Sequence, residues 1–280
     1  MNLRLPFGTI KSVGYASVFI NDFAQYRDTN LPGTGWALWP NVGPLHRAQT
    51  LLIDLHASAL KDVEKVRENA DLTVQAKARR SLEIFNTFAD GVLSTLPSLA
   101  QTAEHLHTYA ADKLVPVQQL SSGDAVSAGL DAECRAYVLR LNTVDRANLI
   151  GQIRQGKEPR ITAAILRGPA TVSGLTSDQL VVLGAAGIAV AYKDAVISLA
   201  KLAVGIREVQ RLAEGLGKDI IRAGVGIDGS IATTESWTKP SASLESLFAW
   251  LQPIPLEIRD PVRVRETTGN DTPDSEAEAA

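Results

Sequence analysis

Residues 45–96 read LHRAQTLLIDLHASALKDVEKVRENADLTVQAKARRSLEIFNTFADGVLSTL, a run of 52 residues between Pro44 and Pro97 with no proline and one glycine, Gly91. Apolar side chains recur through it at Leu52, Leu55, Ala59, Val63, Val66, Ala70, Val74, Ala78, Leu82, Phe85, Ala89, Val92 and Leu96. Steps of three and four residues put one stripe along an amphipathic helix and are incompatible with the two-residue period of a strand. Unbroken, the run would make a rod of about 78 Å at 1.5 Å per residue. Rods of that length belong to bundles, coiled coils and assemblies. The place where the stripe can break is Asn69-Ala70-Asp71, because Asn and Asp favour caps and turns over helix interiors. The mixed charges Lys61, Asp62, Glu64, Lys65, Arg67 and Glu68 mark a solvated outer face.

Working outward, the expected fold class is mainly α: an elongated helical bundle with long amphipathic helices, an irregular aromatic N-terminal arm and an extended C-terminal segment. The arm, 1–43, holds Phe7, Tyr15, Phe19, Phe23, Tyr26, Trp36 and Trp39, seven of the fifteen aromatic residues. Pro6-Phe7-Gly8, Leu31-Pro32-Gly33 and Trp39-Pro40 are turn signals, and Tyr15 to Ile20 reads as a short strand closed by Asn21-Asp22. The bundle spans 44–216. Pro97 suits a first helical position, with Ser98 and Gln101 at capping-box spacing. A helix from there to Leu114 ends before Pro116, and 125–155 is helical again. Lys157-Glu158-Pro159 opens a short helix that stops at Gly168-Pro169. Thr176 and Gln179 form a second capping box ahead of an apolar helix running from Ser177 to Leu216. Arg207, Arg211 and Lys218 fall near its expected C-terminal end, where the helix dipole favours cations.

Beyond it, 217–266 is a glycine-rich connector with a short helix over Leu244–Leu251 and an extended arm forced by Pro253, Pro255 and Pro261. Alternation in Ile258-Arg259 and Val262-Arg263-Val264-Arg265 reads as an edge strand. Residues 267–280 form an acidic tail whose composition cannot bury a core.

Bulk numbers narrow the function. The chain of 280 residues is 45% hydrophobic, 21% charged and 5% aromatic, so its core is aliphatic. The net charge is −3, and setting aside Asp271, Asp274, Glu276 and Glu278 of the tail leaves +1. Such a balance offers no basic surface for nucleic acid. The single cysteine, Cys134, excludes an intrachain disulfide and a thiolate zinc cluster, and reads as a small buried helix residue. No apolar h-region follows Arg4, so no signal peptide is expected. Leu180 to Tyr192 lacks charge for thirteen residues, short of the roughly 20 a spanning helix needs. It reads as a bundle-core segment, or as an inserting element after a conformational change. These features make a cytoplasmic location the expectation.

Catalytic, cofactor-binding and metal sites are expected to be none. His105 and His107 are two residues apart, so on a helix they point about 200° apart and cannot share a metal. His46 and His56 stand about 15 Å apart along a helix, and all four histidines read as solvated helix residues. Gly224-Val225-Gly226-Ile227-Asp228-Gly229 matches Gly-x-Gly-x-x-Gly, but a dinucleotide loop requires a strand before it and a helix after it. A helix precedes this one, so a connector is expected. No Walker loop, Gly-x-Ser-x-Gly elbow or His-Glu-x-x-His occurs.

The stretch Ala163-Ala164-Ile165-Leu166-Arg167-Gly168-Pro169-Ala170-Thr171-Val172-Ser173-Gly174-Leu175-Thr176 resembles a helix–Pro–Ser-Gly-Leu turn of helical accessory proteins of tailed bacteriophages, encoded among virion genes. The resemblance covers fourteen residues and implies a virion component; it assigns no catalytic or binding residue. The expected function is therefore a structural or assembly protein acting through protein partners or self-association, with no small-molecule ligand indicated. The competing expectation is a helical pore-forming or membrane-perturbing protein that inserts 180–192.

Overall fold

The computed structural model describes residues 33–255, together with 4–5, 8–13, 16–21, 28 and 30–31. The fold is mainly α, as its apolar periodicity requires. Two compact units divide the chain: 1–111 with 201–250, and 112–200 with 251–280. The expected bundle 44–216 thus contributes to both. The edge strand and the acidic tail expected beyond 255 lie outside the described residues, as do Phe7, Tyr15, Phe23 and Tyr26 of the arm.

In the first unit, β1 (Arg4–Leu5), β2 (Gly8–Val13) and β3 (Ala16–Asn21) form an antiparallel sheet with β2 in the middle. Its register runs from Gly8 opposite Asn21 to Val13 opposite Ala16. β4 (Asn30–Leu31) and β5 (Trp36–Ala37) make a small hairpin whose turn uses Gly33 and Gly35 at positive φ. The Trp36 ring stacks on Tyr109 at 4.1 Å between centroids.

The long stripe folds as two helices, α1 (Trp39–Glu68) and α2 (Val74–Lys113). Between them Asn69 closes α1 through its N–H to the Lys65 carbonyl, and its side chain accepts from Asp71 N–H. Thr73 then accepts from Ala76 N–H and opens α2. The chain turns back on itself, because Leu55 lies against the Gly91 backbone where any β-carbon would collide with it. The helix begins at Trp39 with Pro40 in its first turn, so the arm is shorter than the expected 1–43.

Pro97 corrects a second boundary. It lies inside α2, and no capping box forms at Ser98 and Gln101. Its missing N–H leaves the Leu93 carbonyl unbonded within the helix, but Leu93 and Pro97 both lie on the exposed side. Meanwhile Val92, Thr95, Leu99, Thr102, Ala103 and Leu106 are buried on the opposite side and hold the helix together. Packing outweighs the local breaker. Within the stripe, Val74 and Leu82 are exposed, while Phe85, Ala89 and Val92 are buried as expected, with Ser81 and Phe88 beside them.

The second unit holds α3 (Ala125–Arg140), α4 (Thr143–Arg154), α5 (Pro159–Leu166), a 3-10 turn at Ala170–Ser173, and α6 (Ser177–Ala191). The expected helical span 125–155 is broken at Leu141-Asn142, where Asn142 caps α4 by accepting from Asp145 N–H. Asp124 caps α3, and the Ser127 N–H bond holds its carboxyl below the usual range. Gly174 takes the left-handed conformation at φ 64° that ends the 3-10 turn. The Thr176 and Gln179 capping box is complete in both directions. Val138, Leu149, Ile153, Ile165, Leu175 and Leu183 form this unit's core.

The single helix expected from Ser177 to Leu216 is instead α6 followed by α7 (Lys193–Ala223), bent by 105°. Tyr192 leaves helical dihedrals at φ −131°, ψ 36°. Asp194 occupies the first turn of α7, where a carboxylate is favoured by the dipole. Past Leu216, α7 continues through Gly217 to Ala223, so the connector expected from 217 begins later. Arg211 and Lys218 lie within the helix and pair with Glu208 at 2.7 Å and Glu214 at 2.6 Å. α8 (Ile231–Ser236) and α9 (Ala242–Leu251) complete the first unit's helices. Trp237 packs beside Phe85 and Phe88.

Candidate functional site

α3 carries apolar side chains on two sides. Val138 turns inward to the core, and α3 packs on α5 and the 3-10 turn. On the other side, Val126, Leu130 and Tyr137 fall within about 40° of one another at 100° per residue. They are 76%, 47% and 53% exposed, three apolar side chains in water with the exposed Glu133 on the same face. A helix apolar on both sides has a second face to cover. Cys134, expected to be buried, is half-buried on this helix. Charges bracket the stripe: Asp124 caps its N-terminal end and Arg140 lies in the last turn.

The inward side of α3 is held rigid by arginines. Asp131 is buried and meets Arg160 Nη2 and Arg167 Nη1, each at 3.0 Å. Arg167 Nε also donates to the Gln118 carbonyl at 2.8 Å, and Arg135 to the Ala164 carbonyl at 3.0 Å. Arg146 reaches the carbonyls of Leu139, Leu141 and Gly174, each at 3.0 Å, where it caps the end of α3 and the 3-10 turn together. Arg167 Nη1 donates to Asp131 Oδ2, while Oδ1 faces Arg160 as an ion pair without a hydrogen bond. These contacts hold the 163–176 stretch against α3.

An apolar hollow of about 180 Å³ lies in the same unit among Pro116, Ile153, Pro159, Gly187 and Val190. It presents no charged side chain and little hydrogen-bonding capacity.

In the first unit the structure corrects the reading of one histidine. His56 is buried, because it falls four residues after Leu52 and three before Ala59, inside the apolar stripe. That spacing was present in the sequence and marked it as a core position. Its neighbour on α7 is the buried Asp219, a carboxylate with no sequence signal, since only the tertiary fold brings 219 to 56. His105 is exposed, and His46 and His107 are half-buried. Among the described residues no three His, Cys, Asp or Glu side chains gather as a metal-binding group.

The Gly224–Gly229 motif ends a helix. Gly224 N–H bonds the Ile220 carbonyl, Gly226 takes φ 66°, and Val225 N–H donates to Ser81 Oγ at 3.2 Å. The helix α7, not a strand, leads directly into it, which is not the dinucleotide-loop arrangement.

The chain matches no protein-family model, no curated protein and no solved structure.

Proposed function

We propose that this chain is a structural, assembly protein that works through protein surfaces rather than chemistry, with a phage virion as its setting. The observation that carries the reading is the outward stripe of α3. Apolar side chains kept in water cost about 25 cal/mol per Å² that burial would recover, and a rigid, arginine-held helix offers them in one fixed arrangement.

The partner that fits this face is a second copy. Laid antiparallel about a two-fold axis between Glu133 and Cys134, Leu130 of each copy meets Tyr137 of the other. Arg140 then approaches the Asp124 end of its mate, and the two helix dipoles oppose. Acid at one end and base at the other are complementary in this arrangement, while the two Glu133 side chains meet near the axis.

Light scattering across a concentration series tests this, comparing the protein with Leu130→Glu and Tyr137→Lys. A dimer or larger particle that both variants dissociate is expected. A monomer at every concentration, or an oligomer indifferent to both changes, sinks the proposal of self-association through α3.

The membrane reading has one feature in its favour. Among the described residues no single helix is long and apolar enough to cross a membrane, yet α6 and α7 together meet that composition across their bend. Dye release from liposomes, at several pH values and lipid compositions, decides it: leakage would replace the assembly reading, and intact vesicles would remove the alternative.

A further inference from the structure

His56 on α1 and Asp219 on α7 are both buried, 5% and 2% exposed. His56 Nε2 and Asp219 Oδ2 stand 3.9 Å apart, and neither atom has a hydrogen-bond partner. That separation is beyond a hydrogen bond and suits two acceptors facing each other with no proton between them. Leaving both unsatisfied inside a protein is costly, and each such group forfeits roughly 1–3 kcal/mol.

The surroundings leave this pair largely to itself. On α7, Arg222 Nη1 donates to the other carboxylate oxygen, Oδ1, at 3.2 Å, but its guanidinium is 65% exposed. Lys218 and Glu214 on the same helix pair with each other. From α1, Asp54 and Lys61 are exposed; from α2, Glu83 and Asp90 are exposed; Glu235 of α8 and Glu245 of α9 are exposed as well. Burial pushes the Asp219 carboxyl up to about 6 against the pull of Arg222. Burial likewise holds the His56 imidazole below its ordinary value. Each side chain, taken alone, prefers to be neutral.

We propose that His56 and Asp219 together form a one-proton site between α1 and α7, which takes up a proton in mild acid and closes into a hydrogen bond that ties the two helices. The proton lies between Nε2 and Oδ2 whichever atom formally owns it. Titration of the pair is a joint property. It satisfies both orphaned atoms at once, and a shift of under 1 Å brings them to bonding distance.

The sign of each contribution makes the test sharp. An acid whose folded value is raised stabilises the fold below its unfolded value, and that stability is lost as pH rises through about 6. A histidine whose folded value is lowered acts oppositely: stability is lost as pH falls through about 6.5, where the unfolded chain takes the proton. In the intact pair the two slopes offset, so the melting temperature is nearly flat between pH 5 and 7. His56→Gln exposes the acid's slope, and its melting temperature climbs as pH falls. Asp219→Asn exposes the histidine's slope, and its melting temperature drops.

Nitrogen-15 spectra of the His56 ring in the unsubstituted protein provide a readout that does not depend on the variants folding. Between pH 7.5 and 5, Nε2 is expected to become a hydrogen-bonded N–H. A ring that keeps an unprotonated Nε2 throughout overturns the proposal. So do variants whose melting profiles run parallel.

Discussion

The Cζ3 edge of Trp237 occupies the place beside Gly217 where a side chain would begin: a β-carbon there would lie 2.7 Å from it and 2.8 Å from Thr234 Cγ2. Two residues earlier, a β-carbon on Gly215 would meet nothing within 4 Å. The same substitution therefore has opposite effects at these sites. Gly215→Ala removes a poor helix former from open space and should stabilise by about 0.5–1 kcal/mol. Gly217→Ala drives a methyl into a buried indole and should destabilise by about 1–3 kcal/mol despite its helix propensity. Urea unfolding of the two variants measures both; a shared sign would contradict the packing.

Pro97 offers a gain of the same kind. Replacing it by alanine restores an N–H for the Leu93 carbonyl on an exposed side of α2, where no neighbour needs to move. Pro97→Ala should stabilise by about 1–3 kcal/mol. A thermal melt that falls instead would mean that the proline sets a bend on which the core of α2 depends.

The buried carboxylate of Asp131 is expected to be the most sensitive polar position of the second unit. Asp131→Ala leaves Arg167, whose side chain is only 15% exposed, without its partner, and should cost about 3–5 kcal/mol. Arg160 is 43% exposed and can turn to water, so Arg160→Ala should cost clearly less than Arg167→Ala. Chemical denaturation of the three variants checks the order, and equal losses from the two arginines would refute it.

Thr176→Ala removes the hydroxyl half of the capping box that starts α6. A loss of about 1 kcal/mol is expected, with Gln179→Ala costing less because backbone N–H of Thr176 lies exposed to water. Hydrogen exchange of the first-turn amides of α6 should quicken locally in both. An unchanged first turn would show that tertiary packing alone holds this end.

Local rules were legible in the chain wherever the responsible residues are neighbours in sequence. The helical period of 45–96, its break at Asn69 to Asp71, the Thr176–Gln179 box and the stop at Gly168-Pro169 all act over four residues or fewer. The same reasoning failed at Pro97 and Gly217, where a breaker residue is outvoted by burial of the helix against partners elsewhere in the chain. It failed again at Tyr192, where the helix bends by 105° with no proline or glycine at the break.

The candidate sites divide in the same way. The spacing of Val126, Leu130 and Tyr137 was present in the sequence, but which side of α3 stays in water depends on α5 and the 3-10 turn covering the other. Likewise His56 sits visibly in an apolar stripe, while nothing near it in sequence names Asp219. Sequence by itself determined the helical class and the capped boundaries, because hydrogen bonding within a helix and its caps is local. Tertiary structure alone decided which polar groups are buried together and which apolar face is left open, because burial is a property of neighbours that the chain brings together from positions as far apart as 56 and 219.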